Sequence, residues 1–152
     1  MRKNLAFAGA LAICVLAAAL VIGTGKAPAV HAQTKDCDAT SLTGAYGYSL
    51  TGTVYDSQYN WYLLGAAGRL VSDGSGSLTG ADTFSFDGDI VKRQYTGTYT
   101  MNADCTGSMT LTPPSGAASH FDFVAVNNSK EVNVVQTDTD WILTGVLKLQ
   151  NQ

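Results

Sequence analysis

Short segments with apolar residues at every second position, separated by turn sequences, repeat along this chain from residue 44 to residue 149. Residues 95–111, YTGTYTMNADCTGSMTL, show the pattern: two such segments flank an Asn-Ala-Asp corner, and a cysteine opens the second. A period of two is typical of strands that bury one face, and no stretch of twelve residues has a helical period. The repetition therefore predicts an antiparallel β-meander.

Turn sequences divide the chain into eight predicted strands. Asp73-Gly74 and Asp87-Gly88 are the clearest hairpin signals, because these residues tolerate a positive φ. The predicted strands are residues 44–54, 61–71, 77–86, 90–101, 105–112, 119–126, 131–137 and 141–149. Eight strands joined by short turns match an up-and-down barrel, since closure removes exposed strand edges. The expected fold class is all-β, an eight-stranded antiparallel up-and-down (meander) barrel, with a β-sandwich as the alternative.

Residues 1–32 have the composition of a secretory signal peptide. Arg2 and Lys3 provide its positive start, residues 5–22 form an apolar run, and a Val-His-Ala tripeptide precedes the expected cleavage before Gln33. A retained membrane anchor is the alternative, because the apolar run is about long enough to span a bilayer. Cleavage would leave one barrel domain, residues 33–152, as a secreted or periplasmic protein.

The processed domain is acidic. Three of the nine basic residues, Arg2, Lys3 and Lys26, precede the cleavage site, whereas all twelve acidic residues follow it, which leaves a net charge of −6. A domain of this charge without a basic stripe is not expected to bind nucleic acid or an anionic membrane surface. About 120 residues are enough for one domain with its own core.

Cleavage would also remove Cys14, so Cys37 and Cys105 are the only cysteine pair of the processed chain. An oxidising compartment favours a disulfide between them, worth about 3–5 kcal/mol for a loop of this length. In a meander both cysteines lie at the same end of the barrel, but on opposite walls. The bond therefore requires residues 36–41 to cross that end and partly plug it.

Four side chains are candidates for acid–base chemistry. Asp82 shares a strand face with Phe84 and Phe86, whereas His120 and Asp122 share the polar face of the sixth strand and Glu131 begins the seventh. The last three could form a cluster at one rim if that polar face pointed inward. The preferred interpretation is the reverse, with the apolar face of these strands inside and the charges in solvent.

Aromatic residues at inward-compatible positions either fill the barrel or line a small apolar pocket. The candidate ligand-lining residues are Tyr46, Tyr48, Trp61, Phe84, Phe86, Phe121 and Phe123. No Ser-His-Asp order, nucleophile elbow, phosphate loop or zinc set is present in the sequence, so no cofactor or metal is expected. Asp73-Gly74-Ser75-Gly76 resembles a calcium loop but lacks EF-hand spacing, and the four Leu-Thr-Gly triplets are interpreted as structural.

Residues 37–150 resemble a group of small secreted bacterial proteins without an assigned activity. The matching pieces are Gly44-Ala45-Tyr46-Gly47-Tyr48, Asp73-Gly74-Ser75-Gly76, Gly97-Thr98-Tyr99-Thr100, Asp104-Cys105-Thr106-Gly107 and Leu143-Thr144-Gly145-Val146. More distantly, the Gly-Thr-Tyr strands are similar to the allene oxide cyclase and dirigent barrels, which guide cyclisation or coupling of apolar substrates. The Leu-Thr-Gly triplets are similar to avidin-type barrels, which bind a small ligand at the barrel mouth.

The expected function is that of an exported barrel that binds a small apolar ligand or has a structural role in the cell envelope. A cofactor-free isomerase or cyclase of the allene-oxide-cyclase kind is the enzyme alternative, acting through cavity shape and one acid such as Asp82 or Glu131. An outer-membrane barrel is the third alternative, because period-two strands look alike when the apolar face points outward. The ligand and the oligomeric state are left open by the sequence.

Overall fold

The computed structural model of the protein describes residues 36–114 and 116–150. The predicted signal peptide, its cleavage site and Cys14 lie outside the described residues. Eight antiparallel strands form a closed barrel in which each strand pairs with its neighbours in the chain and the last pairs with the first. The strands are β1 (Thr43–Tyr55), β2 (Trp61–Asp73), β3 (Ser77–Phe86), β4 (Asp89–Met101), β5 (Thr106–Thr112), β6 (Ser119–Val126), β7 (Glu131–Gln136) and β8 (Trp141–Leu149).

This architecture confirms the predicted all-β up-and-down barrel, and the predicted strand bounds agree with the observed ones to within two residues. The pattern succeeds because each strand buries one face and exposes the other. In β1, Tyr46, Leu50 and Val54 are buried, whereas the intervening Ser49 and Thr51 are exposed. Apolar side chains from all eight strands meet inside the barrel and form its core.

The end of the barrel that carries the disulfide is closed by the segment before β1. Cys37 and Cys105 are bonded, with their Cα atoms 5.0 Å apart. Between Cys37 and β1, one turn of 3-10 helix, Ala39–Leu42, lies over the barrel end and buries Leu42 almost completely. The Tyr99 hydroxyl donates a hydrogen bond of 2.7 Å to the Ala39 carbonyl. The disulfide and the plug predicted from strand topology are both confirmed, and this end is called the closed end below.

Glycines of the Leu-Thr-Gly triplets lie where neighbouring groups approach closely. A Cβ atom on Gly145 would lie 2.5 Å from Leu50 Cδ2, and one on Gly80 would lie 2.5 Å from ring atoms of Tyr95. At Gly52 a Cβ atom would collide with the carbonyl oxygen of Ile142 on the neighbouring strand. These contacts agree with the structural interpretation of the triplets.

The opposite end, called the open end below, is formed by the turns after β1, β3, β5 and β7. Two side chains at this end, Tyr62 and Phe86, are stacked with ring centroids 5.3 Å apart. Exposed apolar side chains in the strand segments near this end include Trp61, Leu63, Ile90, Val91 and Ile142. Within the described residues, no helix has the length and apolarity that a membrane-crossing helix needs.

Candidate ligand-binding site

A cavity of about 70 Å³ lies inside the barrel at the open end. Its apolar wall consists of Leu50, Phe84, Leu111, Phe121 and Leu143. A smaller void of about 20 Å³ is lined by four of the same side chains and by residues deeper in the core. The barrel is therefore filled toward the closed end and hollow toward the open end, which combines the two alternatives left by the sequence.

The rim of this cavity comes from loop and strand-end residues. Pro113 and Ala117 belong to the connection between β5 and β6, and Trp141 is the first residue of β8. Trp141 is paired with the buried Val54 of β1, so both residues are on the inner face of the sheet. The rim thus includes one large aromatic side chain and a proline-containing loop.

A buried ion pair forms the polar side of the cavity. Asp82 of β3 and Arg93 of β4 are direct cross-strand partners. Arg93 donates two hydrogen bonds to the Asp82 carboxylate, from Nε to Oδ1 at 2.9 Å and from Nη2 to Oδ2 at 2.6 Å. The Asp82 side chain is 1% exposed and the Arg93 side chain 32%. Asp82 is therefore enclosed, while Arg93 remains accessible from the cavity.

Two tyrosines extend this pair into a hydrogen-bonded network. The Tyr48 hydroxyl donates to Asp82 Oδ2 at 2.8 Å, and the Tyr95 hydroxyl donates to the Tyr48 hydroxyl at 2.8 Å. Asp82 thus accepts three hydrogen bonds, from two side chains on different strands. Every donor in the chain from Tyr95 to the carboxylate has an acceptor, as a buried polar network requires.

Glycine at one position allows this network to form. Tyr48, Gly68, Asp82 and Arg93 make a cross-strand row over β1, β2, β3 and β4. Because Gly68 has no side chain, Tyr48 can reach across β2 to Asp82. A Cβ atom on Gly68 would lie 2.6 Å from the Asp82 Cβ atom. The missing side chain at Gly68 of β2 therefore leaves the space that the Tyr48 side chain of β1 occupies.

The protonation states of the two tyrosines and of Arg93 follow from their burial and from the ion pair with Asp82. Burial raises the pKa of Tyr95 to about 12 and raises the pKa of Tyr48 further, so both phenols are neutral near pH 7. Burial lowers the pKa of Arg93, but the hydrogen bonds and charge of Asp82 outweigh it and leave that pKa raised. The paired side chains carry opposite charges, so the polar side of the cavity has no net charge.

Arg93 has hydrogen-bonding capacity that the described residues do not use. A guanidinium group carries five N–H donors, and the described residues accept from Nε and Nη2 alone. The Cζ atom of Arg93 lies 4.0 Å from the centroid of the Phe84 ring, which supports the guanidinium plane against the cavity wall. Arg93 is thus fixed in position by Asp82 and Phe84, is partly accessible, and has unused hydrogen-bond donors beside an apolar wall.

A second polar cluster holds the turn between β7 and β8 against β6. Asp138 Oδ2 accepts from the backbone N–H of His120 at 2.9 Å and from Gln136 Nε2 at 2.7 Å. Its Oδ1 lies 2.7 Å from His120 Nδ1. Burial raises the pKa of Asp138, but the hydrogen bonds from His120 and Gln136 dominate and lower it. Because Gln136 also lines the cavity, this cluster positions one polar wall of the mouth.

The predicted ligand-lining residues occupy four different environments. Tyr48, Phe84 and Phe121 line the cavity, together with the acid–base candidate Asp82. The others lie elsewhere: Tyr46 and Phe123 are in the core, Phe86 is stacked on Tyr62, and Trp61 is 63% exposed beside Tyr55. Trp61 follows a turn and directly precedes the alternating part of β2, so its position alone did not indicate the outer face.

The other three acid–base candidates do not form a cluster. His120 and Asp122 are exposed, with their neighbours Phe121 and Phe123 buried, as the preferred interpretation of these faces has it. His120 lies at the open end, whereas Glu131 begins β7 at the closed end, 3.9 Å from Lys148 Nζ. The antiparallel register of β6 and β7 places the two side chains at opposite ends of the hairpin.

The sequence considered as a calcium loop forms a hairpin turn. Asp73 Oδ1 accepts from the backbone N–H groups of Ser75 and Ser77 at 2.7 and 3.0 Å. Hydrogen bonds from the Ser75 hydroxyl and from these N–H groups lower the pKa of Asp73. Within residues 36–114 and 116–150, no group of three or more His, Cys, Asp or Glu side chains is arranged to hold a metal ion.

Arg93 was not singled out in the sequence, although a signal for it exists. Asp87 and Gly88 both have positive φ values, 47° and 97°, and form a two-residue turn between β3 and β4. A two-residue turn fixes the register of the hairpin. Counting outward from it makes Asp82 the partner of Arg93, so an inward Asp82 implies an inward Arg93.

Comparison with known proteins bears on the fold of this chain. Neither a model of a known protein family nor the sequence of a curated protein matches this chain. A solved structure described as a de novo designed fluorescence-activating β-barrel is similar in fold, with a TM-score of 0.52 and 12% sequence identity. The match covers 74% of this chain and 96% of the designed chain. At this identity the likeness concerns the eight-stranded barrel alone.

Proposed function

We propose that this protein binds a small molecule through the cavity at the open end of its barrel. The observation that carries the proposal is the combination of an apolar wall with one accessible donor group, Arg93, held in place by the buried Asp82. Small-molecule sites typically pair a mainly apolar lining with a few fixed polar groups. The filled core and the plug at the other end leave the open end as the entrance.

The size of the cavity restricts how a ligand would bind. Its volume of about 70 Å³ is below the roughly 300 Å³ of ordinary ligand pockets and about half the 150 Å³ of an engineered cavity that binds benzene. A ligand would therefore insert one small group beside Arg93. The rest of the molecule would lie between Trp141 and Pro113 at the rim.

Binding is favoured over the cofactor-free isomerase that the sequence left as an alternative. That activity needs a carboxylic acid that faces the substrate. The Asp82 side chain is 1% exposed and accepts three hydrogen bonds, and Glu131 lies at the closed end, away from the cavity. Asp82 lines the cavity, but its two oxygens are held by hydrogen bonds from Tyr48 and Arg93 and its charge is paired, so it is not free to act as the acid.

Export from the cytosol is part of this proposal. The Cys37–Cys105 disulfide supports it, because structural disulfides persist mainly in oxidising compartments. The predicted signal peptide at residues 1–32 points in the same direction. The protein would act as a secreted or periplasmic binding barrel with no cofactor.

The proposal is tested by filling the cavity. Leu143 and Ile142 are adjacent in β8, but Leu143 lines the cavity whereas Ile142 is 51% exposed on the outer face. Ligand-detected NMR with acetophenone should show binding to the wild-type protein and to Ile142→Phe, and loss of binding in Leu143→Phe. Equal binding by all three proteins, or binding by none, would contradict the proposal.

A further inference from the structure

We infer that the cavity selects neutral molecules that carry a hydrogen-bond acceptor, such as a ketone, aldehyde or ester carbonyl, and that Arg93 donates to this acceptor. The inference rests on the proposed binding function and specifies the chemical class of its ligand. Three properties of the site lead to it: the unused donors of Arg93, the charge balance of the ion pair, and the distribution of acids around the open end.

The first step concerns the donors. Asp82 accepts from Nε and Nη2 of Arg93, and no other described residue accepts from this guanidinium. The remaining N–H groups belong to a side chain that lines the cavity and is 32% exposed. A ligand without an acceptor would displace water from these donors and leave them unpaired, which costs binding free energy. The site therefore favours a molecule that brings an acceptor.

The second step concerns the charge of that acceptor. The positive charge of Arg93 is balanced by Asp82 at 2.6 Å, so a carboxylate would enter an apolar cavity without a net opposite charge to compensate its desolvation. A cation would meet the guanidinium itself, and the Asp82 oxygens already accept three hydrogen bonds. A neutral acceptor avoids both penalties.

The third step concerns the approach to the cavity. Aspartates surround the open end. The described basic groups near it are Arg93, Lys92 and His120, and two of them are already paired, Arg93 with Asp82 and His120 with Asp138. Their combined field opposes the entry of an anion at ordinary ionic strength. The aspartates at this end are Asp56, Asp87, Asp89, Asp138 and Asp140.

The fit of the wall sets the shape of the ligand. The guanidinium lies over the Phe84 ring, and Phe121 and Leu143 face the same space. A compact carbonyl group fits a cavity of about 70 Å³, whereas an aromatic or aliphatic remainder would contact the Trp141 ring at the rim. The ligand class is thus a small neutral carbonyl compound with an apolar remainder.

The test compares three probes of similar size: acetophenone, ethylbenzene and benzoate. They share a phenyl ring but carry a neutral acceptor, no acceptor and an anionic acceptor, respectively. Dissociation constants for the full exported protein are measured by NMR titration at constant ionic strength. Acetophenone should bind at least about tenfold more tightly than either of the other two, the factor expected for one hydrogen bond to a charged donor.

Two variants connect this ranking to the ion pair. In Asp82→Asn the cavity gains a net positive charge, so benzoate should approach or exceed acetophenone in affinity. In the double variant Asp82→Asn/Arg93→Met the cavity is again neutral but lacks the guanidinium donor, so the preference for acetophenone over ethylbenzene should shrink relative to the wild-type protein. Asn can still accept from the Tyr48 hydroxyl, which preserves that contact in both variants.

The outcomes separate this inference from the function on which it rests. If ethylbenzene or benzoate binds the wild-type protein as tightly as acetophenone, the inference is overturned and the binding function stands. If none of the three probes binds, both are overturned. The wild-type ranking decides the matter even if a variant fails to fold, because it needs the unaltered protein alone.

Discussion

Gly68 shows how a single residue without a side chain determines the interior of the barrel. It lies between Tyr48 and Asp82 in a row of cross-strand partners, and it leaves the space through which the tyrosine reaches the carboxylate. Any other residue would place a Cβ atom 2.6 Å from Asp82 Cβ and closer still to the Ala81 carbonyl oxygen. The buried ion pair therefore depends on a residue that takes no part in it.

Gly68→Ala should lower the free energy of unfolding by about 1–3 kcal/mol, because the added methyl group forces a shift of β3 in a packed interior. Gly65→Ala is the matched control on the same strand, since a Cβ atom there has no neighbour within 4 Å. Gly65→Ala should be neutral or slightly stabilising, as alanine reduces the entropy of the unfolded chain. Urea unfolding followed by Trp fluorescence measures both.

Equal destabilisation by the two substitutions would show that the effect arises from general strand propensity and not from the gap beside Asp82. A neutral Gly68→Ala variant would mean that β3 can shift without cost. The distinction bears on the cavity, because Asp82 holds Arg93 in place through two hydrogen bonds.

At the scale of elements, tyrosine hydroxyls tie strands together across the barrel. Tyr95 of β4 is bonded to Tyr48 of β1, and the Tyr46 hydroxyl of β1 donates to the Ser129 carbonyl in the turn between β6 and β7 at 2.8 Å. Burial raises the pKa of Tyr46 and of Tyr95 to about 12. These bonds therefore depend on protonated phenols.

The stability of the barrel should fall at alkaline pH for this reason. The pKa of a tyrosine in the unfolded chain is about 10, so the stabilisation is fully present below about pH 10 and is lost as pH rises through about 12. Each tyrosine should contribute up to about 2–3 kcal/mol to this loss. Urea unfolding between about pH 8 and 12, with tyrosinate absorbance recorded in parallel, measures it.

Tyr46→Phe provides the control, because it removes one of the buried ionisable groups and should make stability less dependent on pH in this range. Stability that stays constant up to about pH 12 in the wild-type protein would contradict the buried, hydrogen-bonded state of these phenols. Titration of Tyr46 and Tyr95 near the ordinary value would contradict it in the same way.

The β3–β4 hairpin shows how far the sequence predicts the site. Alternation placed Asp82 on the same face as Phe84, and the Asp87-Gly88 turn fixes the register that makes Arg93 its partner. Tyr48 was a candidate ligand-lining residue, but its hydrogen bond to Asp82 could not be predicted in this way, because it depends on the contact across Gly68 between β1 and β3. Such contacts depend on the curvature and closure of the barrel, which no local pattern specifies.

At the scale of the whole molecule, the two ends of the barrel differ. The plug before β1 and the disulfide occupy one end, and the cavity with the Asp82–Arg93 pair lies toward the other. The position of the plug was predicted from the order of strands and the two cysteine positions. A small apolar pocket was one of two alternatives, but its location and volume were not predicted, because they result from the packing of side chains on several strands.

The interior of the barrel is divided between a packed core and a cavity. Toward the closed end, large side chains such as Tyr46, Leu70 and Leu78 are almost completely buried and stabilise the fold. Toward the open end, a cross-barrel polar network replaces part of this apolar packing and holds the Arg93 side chain beside the cavity. Burying this network does not destabilise the fold through unpaired polar groups, because each buried polar side-chain atom in it has a hydrogen-bond partner.

The most direct test of the binding site is a crystal structure of the protein grown with saturating acetophenone. Electron density for the probe should appear in the cavity at the open end, with its carbonyl oxygen within about 3 Å of a guanidinium nitrogen of Arg93 and its ring against Trp141. A cavity that holds water alone, or a probe on the outer face beside Trp61, would contradict the proposed ligand-binding site.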